Sequence, residues 1–265
     1  MKKSECTIIK LDKGEINQYR GAPNLLVYKT NDPLSNVTLV LEKEKRALVI
    51  EPPCFTANLT ELEQRLRSLE FKVEGLVLAY HMTGANFIKE AKRYSTRNAE
   101  EFGTKGPGKA MVDNFANVFG SAFDASINRV TDYIDGDSVT IAGITLNIER
   151  THDAFDIAIP GIKAKYVHML GHDVHSIVGS VELIDRELTK LEGCIEKGYE
   201  LFLSSHYPAE DRDDVRQKIE YLKRLKHIAA QAKSGEEFKL LAKKEFPHYG
   251  GDHYLDMTAG FLFPK

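Results

Sequence analysis

The sequence predicts a layered α/β fold, and three observations carry that reading. Short runs rich in Val, Leu and Ile recur between residues 5 and 206, each of strand length. Stretches with apolar residues at three- and four-residue steps separate some of them and read as amphipathic helices, the strongest over residues 181–197. Over residues 72–93, finally, an apolar run from Val73 to Ala79 passes through a polar loop into residues whose spacing predicts a helix: Phe87, Ile88, Ala91 and Tyr94. Open α/β layers place their sites at such strand-to-helix junctions, and His81 stands at this strand's exit.

Taken in order, residues 5–11 and 24–30 read as strands, with Asn31-Asp32-Pro33 as a turn. Residues 36–42 and 46–51 form a hairpin around Lys43-Glu44-Lys45, and Pro52-Pro53 stops its second strand. A helix is expected from Asn58, where Asn58-Leu59-Thr60-Glu61 has a capping pattern and Leu59, Leu62, Leu66 and Leu69 supply the apolar stripe. Gly103, Gly106 and Gly108 follow no strand and lack the GxxxxGK[ST] order, so residues 95–109 read as a surface loop and 110–123 as a short helix. Residues 130–149 read as a meander turning at Asp135-Gly136 and Ala142-Gly143. Two strands follow over 155–160 and 163–170, then the helix at 181–197 and a strand from Tyr199 that ends at His206. Helices over 209–231 and 234–245 and a tail complete a chain read as one domain, 1–265, with a C-terminal helical extension at about 209–261.

Bulk properties exclude several functions. The formal net charge of −3 gives no electrostatic footprint for nucleic acid or an acidic membrane, so neither is expected as a partner. No apolar run approaches the ~20 residues of a membrane helix. Met1 to Lys10 has no apolar core of a secretory signal, and Cys6, Cys54 and Cys194 form neither a CxxC pair nor a disulfide framework. A reducing cytoplasm is the expected location. No Gly-x-Ser-x-Gly elbow and no dinucleotide fingerprint is present.

The junction at residues 80–86 resembles the metal loop of the metallo-β-lactamase superfamily, in which a strand ends in Thr-His-x-His-x-Asp-His and a helix follows. Here the frame reads Tyr80-His81-Met82-Thr83-Gly84-Ala85-Asn86: the first His is kept, and Thr83, Ala85 and Asn86 stand for the second His, the Asp and the last His. Further matches follow in the family's order. Asn36 opens a strand, and Glu51-Pro52-Pro53 stands for an Asp-x-Gly loop. Asp135-Gly136-Asp137 begins a segment that ends at His152 in place of a Pro-Gly-His-Thr histidine. Leu170-Gly171-His172-Asp173 stands for a Gly-Asp whose Asp bridges two metals, and Ser205-His206 stands for the last ligand. The resemblance covers about residues 36–208 and implies a four-layer αββα sandwich.

By matching position, the resemblance implies metal ligands at His81, His152, His206 and a bridge that is His172 in strict register or Asp173 with a one-residue slip. Thr83, Asn86 and Asp153 are expected to line the pocket. With three family ligands replaced, at most one ion is expected, and zinc is the natural choice for imidazole donors. His168 and His175 are placed outside the site by strand alternation, and His227, His248 and His253 are read as surface or packing residues. The resemblance implies either a mononuclear hydrolase of a small ester, lactone, thioester or phosphodiester, or a binding or regulatory protein that keeps the pocket without catalysis. A small-molecule substrate or ligand is the expected partner, and the C-terminal helices suggest a homo-oligomer as a third expectation.

Overall fold

A computed structural model describes residues 1–264. Two sheets, of eight and five strands, form its centre. The first runs in chain order: β1 (Cys6–Lys10), β2 (Gly14–Tyr19), β3 (Asn24–Thr30), β4 (Val37–Lys43), β5 (Arg46–Ile50), β6 (Lys72–Val77), β7 (Lys92–Ser95) and β8 (Asp132–Tyr133). Its strands are antiparallel up to β5 and parallel from β5 to β8. Parallel neighbours need a crossover, and α1 (Thr56–Ser68) supplies the one between β5 and β6. Two helices, α2 (Arg97–Thr104) and α3 (Pro107–Phe119), lie between β7 and β8.

The second sheet holds β9 (Ser138–Ile141), β10 (Ile144–Arg150), β11 (Phe155–Ile159), β12 (Ala164–Tyr166) and β13 (Leu201–Leu203). The first four are antiparallel; β13 joins β12 in parallel after the crossover helix α4 (Val181–Glu196). Three helices follow: α5 (Arg212–Gln231), α6 (Gly235–Glu245) and α7 (Asp252–Leu262). One core cluster joins residues of both sheets with Leu59, Leu62 and Leu66 of α1, and a second packs α4 to α7 around Val167 and Phe202. Every position of β11 is buried, as a strand covered on both faces requires. Each core leucine contributes about 1.5–3 kcal/mol by leaving water, so the leucine stripe of α1 is what fixes that helix to its sheet. The result is the αββα layering that the strand order implies.

Besides α2 and the first turn of α3, which stand where a surface loop was expected over 95–109, three local expectations change. No helix follows His81: residues 82–91 form a wound loop and Lys92–Ser95 is a strand. Phe87, Ile88 and Ala91 are buried, as their spacing suggests, but Ile88 takes φ 38°, which no right-handed helix contains. The loop's carbonyls find their donor in the buried Arg93 guanidinium, which reaches the oxygens of Phe87, Ile88 and Lys89 at 3.0–3.1 Å. Second, β8 pairs with β7 and not with β9, so the expected meander is divided between the two sheets. Third, α1 begins at Thr56, and Asn58 is no cap: its side-chain amide donates to the Lys13 carbonyl at 2.7 Å and to Tyr28 Oη at 3.0 Å.

Candidate metal centre

Three strand ends from two sheets converge on one edge of the sandwich. Strand β6 leaves the first sheet through Leu78 and Ala79, both fully buried, and delivers Tyr80 and His81. In the second sheet β12 and β13 run parallel and end side by side, which delivers His168 and His206 together. Their exits are tied by the Val167 N–H to the Leu203 carbonyl at 2.9 Å and by the Ser204 hydroxyl to the His168 carbonyl at 2.7 Å. The Val37 N–H donates to the Ser205 carbonyl at 2.7 Å and links the sheets at this edge.

The rings of His81, His168 and His206 meet edge to face, with centroids 4.9 to 5.2 Å apart. One ligating nitrogen from each lies within 4.8 Å of the other two. Burial lowers the pKa of all three. His81 is pushed down to about 4 by desolvation, and His206 to about 3 by desolvation and then by its proximity to His81. Desolvation, then the neighbouring His81 and His206, hold His168 well below its ordinary value. All three are therefore neutral near pH 7, and a neutral imidazole is the form that binds a metal. Zinc accepts such nitrogens at ~2.0–2.1 Å in a tetrahedron, so a three-imidazole cluster of this span suits one ion with a fourth position open.

A buried carboxylate organises the cluster. Glu51, directly after β5, is 1 % exposed and accepts the N–H groups of Tyr80 at 2.6 Å and His81 at 3.0 Å. The same Oε2 that takes the His81 amide lies 3.5 Å from His81 Nδ1. That approach favours the proton on Nδ1 and leaves Nε2 as the ligand atom. Glu51 Oε1 also accepts from Tyr166 Oη at 3.2 Å, and that hydroxyl lies 3.4 Å from His168 Nδ1 and 2.6 Å from Ser205 Oγ. One carboxylate thus orients His81 directly and His168 through a tyrosine. Tyr80 adds a stacked ring on His168, 4.1 Å away and 10° from parallel. Desolvation pushes the Glu51 carboxyl up to about 7, opposed by the hydrogen bonds it accepts from Tyr80, His81 and Tyr166.

No protein-family model and no curated protein matches the sequence. Solved structures do match in three dimensions. A metallo-β-lactamase family protein from Thermus thermophilus aligns over 90 % of this chain and 90 % of its own, with TM-score 0.60 and 16 % identity. A stereoselective inverting sec-alkylsulfatase from Pseudomonas sp. aligns over 97 % of this chain but 50 % of its own, with TM-score 0.60 and 13 % identity. A metallo-β-lactamase from Erythrobacter litoralis aligns over 82 % of this chain and 100 % of its own, with TM-score 0.55 and 11 % identity. This chain has the metallo-β-lactamase fold. Identities this low speak for the fold alone, so the site must be argued from its own residues.

Within that fold, the residues expected from sequence separate into two groups. His81 and His206 join the cluster, and the third imidazole is His168, which strand alternation had placed outside. His152 lies apart: its side chain is 93 % exposed, and Nδ1 pairs with Asp153 at 2.8 Å. His172 is engaged by Glu210, whose Oε1 accepts its backbone N–H and faces its Nδ1, both at 2.7 Å. Asp173 is exposed, and neither it nor His172 belongs to the cluster. The structure thus places His152, His172 and Asp173, expected as ligands by position in the chain, outside the group formed by His81, His168 and His206.

The altered half of the loop is closed by protein. Asn86 donates from its backbone N–H and its side-chain amide to the Asp124 carboxylate, all at 3.1 Å. Asn128 donates to the carbonyls of Met82 and Thr83 at 2.7 Å. Thr83 is buried and Asn86 is exposed; neither lines a cavity beside the imidazoles. Asp153 does line one. A cavity of about 590 Å³ is bounded by Tyr80, His152, Asp153, His168 and Tyr207, with α4 and α5 behind it. Two larger clefts, of about 900 and 930 Å³, are open surface grooves that touch none of the three imidazoles.

Proposed function

We propose that this protein is a metal-dependent hydrolase with a single zinc site formed by His81, His168 and His206, acting on a small ester, lactone, thioester or phosphodiester. The observation that carries the reading is the convergence of three neutral imidazoles, with no carboxylate other than Glu51 paired to them among the described residues, beside a ligand-sized cavity. The neighbours named as a lactamase and an alkylsulfatase are hydrolases on the same fold, which favours this reaction class.

The chain's own groups have definable tasks. A zinc ion held there supplies Lewis acidity that acidifies water and polarises a carbonyl, phosphoryl or sulfuryl oxygen at neutral pH. Glu51 holds the Nδ1 proton of His81, and Tyr166 relays that constraint to His168, so both rings present Nε2 without rearranging. The Tyr80 ring covers one face of His168 and keeps water from it. At the altered end of the loop Ala85 offers no ligand atom and Asn86 is bound to Asp124, and no second group of ligands converges among the described residues.

Ala85 also favours a second reading, a ligand-binding protein without turnover, because no carboxylate stands at that loop position to handle a proton. Elemental analysis of protein purified without chelator, followed by zinc titration and turnover assays on p-nitrophenyl esters and bis-p-nitrophenyl phosphate, tests both. One zinc per chain with turnover is expected. One zinc without turnover selects the second reading, and no zinc at all refutes the metal site.

A further inference from the structure

The cavity beside His168 is lined by two unlike sets of side chains. One is apolar: Val167, Leu170, Ile177, Val178, Leu183 and Leu222 from the β12 exit, α4 and α5. Ile177 and Leu183 are 42 % and 44 % exposed and leave apolar surface open to the cavity. The other set is charged. It holds four cations, Arg150, Arg186, Lys190 and Lys218, and three carboxylates, Asp153, Asp156 and Glu187.

The pairing among them decides which charges are free. Lys190 lies 3.3 Å from Asp156 and 2.7 Å from Glu187, which uses both carboxylates. Asp153 lies on His152. Lys218 is fully enclosed and donates to the carbonyls of Gly171 at 2.8 Å and Val174 at 2.7 Å, where it holds the loop. Arg150 donates through one nitrogen to the carbonyls of Ile134, Asp135 and Gly136 and has no acidic partner among the described residues. Arg186, exposed on α4, has no salt bridge among the described residues. Two guanidinium groups of the lining therefore have no salt-bridge partner among the described residues, each with the fork geometry that suits an oxyanion. Deeper in, Asp156 and His175 are 1 % and 2 % exposed, and each leaves one polar atom, Oδ1 and Nε2, without a partner.

We infer that this cavity binds an amphiphilic anion: an apolar body of a few carbons against the apolar side chains, with a phosphoryl, sulfuryl or carboxylate group at Arg186 and Arg150. The inference rests on the proposed metal site only in taking His168 as the end at which a bond is broken.

The test is calorimetric titration with hexylphosphonate, methylphosphonate and hexanol, using both zinc-loaded and chelator-dialysed protein. Hexylphosphonate is expected to bind at least about tenfold more tightly than methylphosphonate, which lacks the body, or hexanol, which lacks the charge. Arg186→Gln should weaken hexylphosphonate about tenfold or more in both forms, with partial recovery in Arg186→Lys. Leu183→Gln should weaken hexylphosphonate and leave methylphosphonate unchanged. Both positions are exposed on α4, so the variants should fold. Equal affinities for the two phosphonates, or binding indifferent to Arg186→Gln, would overturn the inference. Zinc content measured on the same samples separates the two readings. Arg186-dependent binding by a chain that holds no zinc keeps the cavity and removes the metal site; zinc without Arg186-dependent binding does the reverse.

Discussion

His81, His168 and His206 differ from His152 and His172 in what surrounds each ring. The first three are packed against one another behind strand ends, with neutral rings and free outer nitrogens. The other two also direct Nδ1 at a carboxylate, Asp153 or Glu210, at 2.8 and 2.7 Å, but neither joins the group of converging imidazoles. His172 lies in a surface network in which Asp214 also pairs with Lys3. A histidine at a strand end is thus a candidate ligand where other imidazoles converge on its free nitrogen, a condition that His81 meets and that His152, also held through Nδ1 by a carboxylate, does not. Position in the chain does not distinguish these cases; the residues across the gap do.

The sharpest way to break this contrast is to delete the rings one at a time. His81→Ala, His168→Ala and His206→Ala should each take bound zinc from about one per chain to none after dialysis, since each removes one of three donors. His152→Ala and His172→Ala should keep the wild-type zinc content. Elemental analysis with far-UV circular dichroism reads both metal and fold. Loss of metal in His152→Ala with the fold intact would restore the ligand set expected from sequence.

Acid should expose the same difference in the metal-free chain. An imidazole unfolds to a pKa of about 6.5, whereas the folded values are about 4 for His81 and about 3 for His206. As pH falls below ~6.5 the unfolded state takes up protons that the folded state refuses, so stability is lost from that point down. Glu51 acts in the opposite sense. Its folded pKa is about 7 against an ordinary 4.5, so it binds its proton in the folded state first and favours folding as pH falls from 7 to 4.5. Three rings outweigh one carboxyl, and the net loss between pH 7 and 5 should be on the order of a few kcal/mol. Urea unfolding of the metal-free protein at the two pH values measures it. Glu51→Gln removes the opposing group and should steepen the pH dependence. In the same variant zinc affinity should fall about 10–100-fold, since the carboxylate that orients His81 is gone.

Much of the fold is readable from residues alone. The Val- and Leu-rich runs and the leucine stripe of α1 lie where burial requires them. His81 and His206 stand at strand ends that those runs define. The strand expected over 163–170 ran too far: β12 stops at Tyr166, and the backbone bonds beyond it, from Val167 N–H to the Leu203 carbonyl and from Ser205 N–H to the His168 carbonyl, bring His168 and not His172 to the cluster. The two-residue period does carry information here, because it puts His168 on the side of Tyr166, whose hydroxyl reaches Glu51. Glu51 and Tyr166 lie 115 positions apart in the chain, and no local pattern reveals their contact. The absent helix after His81 has the same origin. Helical spacing at Phe87, Ile88 and Ala91 reports burial correctly, but burial alone does not choose between a helix and a loop whose carbonyls a distant guanidinium can satisfy.

The smallest expected effect separates the two halves of the metal loop itself. Residues 80 and 81 are held by Glu51, while residues 83–86 are held by Asp124, Ser126 and Asn128 through bonds between protein groups. If the second half is structural, weakening it should cost stability and leave metal untouched. Asn86→Ala removes two side-chain bonds to Asp124 but keeps the backbone N–H donated to the same carboxylate. Asp124 also retains Ser126 as a donor, so it is not left bare. The expected loss is therefore that of ordinary hydrogen bonds, about 1 kcal/mol, without the penalty of an unpaired buried charge. Chemical denaturation of the zinc-loaded protein should show that loss with one zinc still bound per chain. A variant of normal stability that loses its zinc would mean that Asn86 and Asp124 serve the metal after all, and the division between the two halves of the loop would not hold.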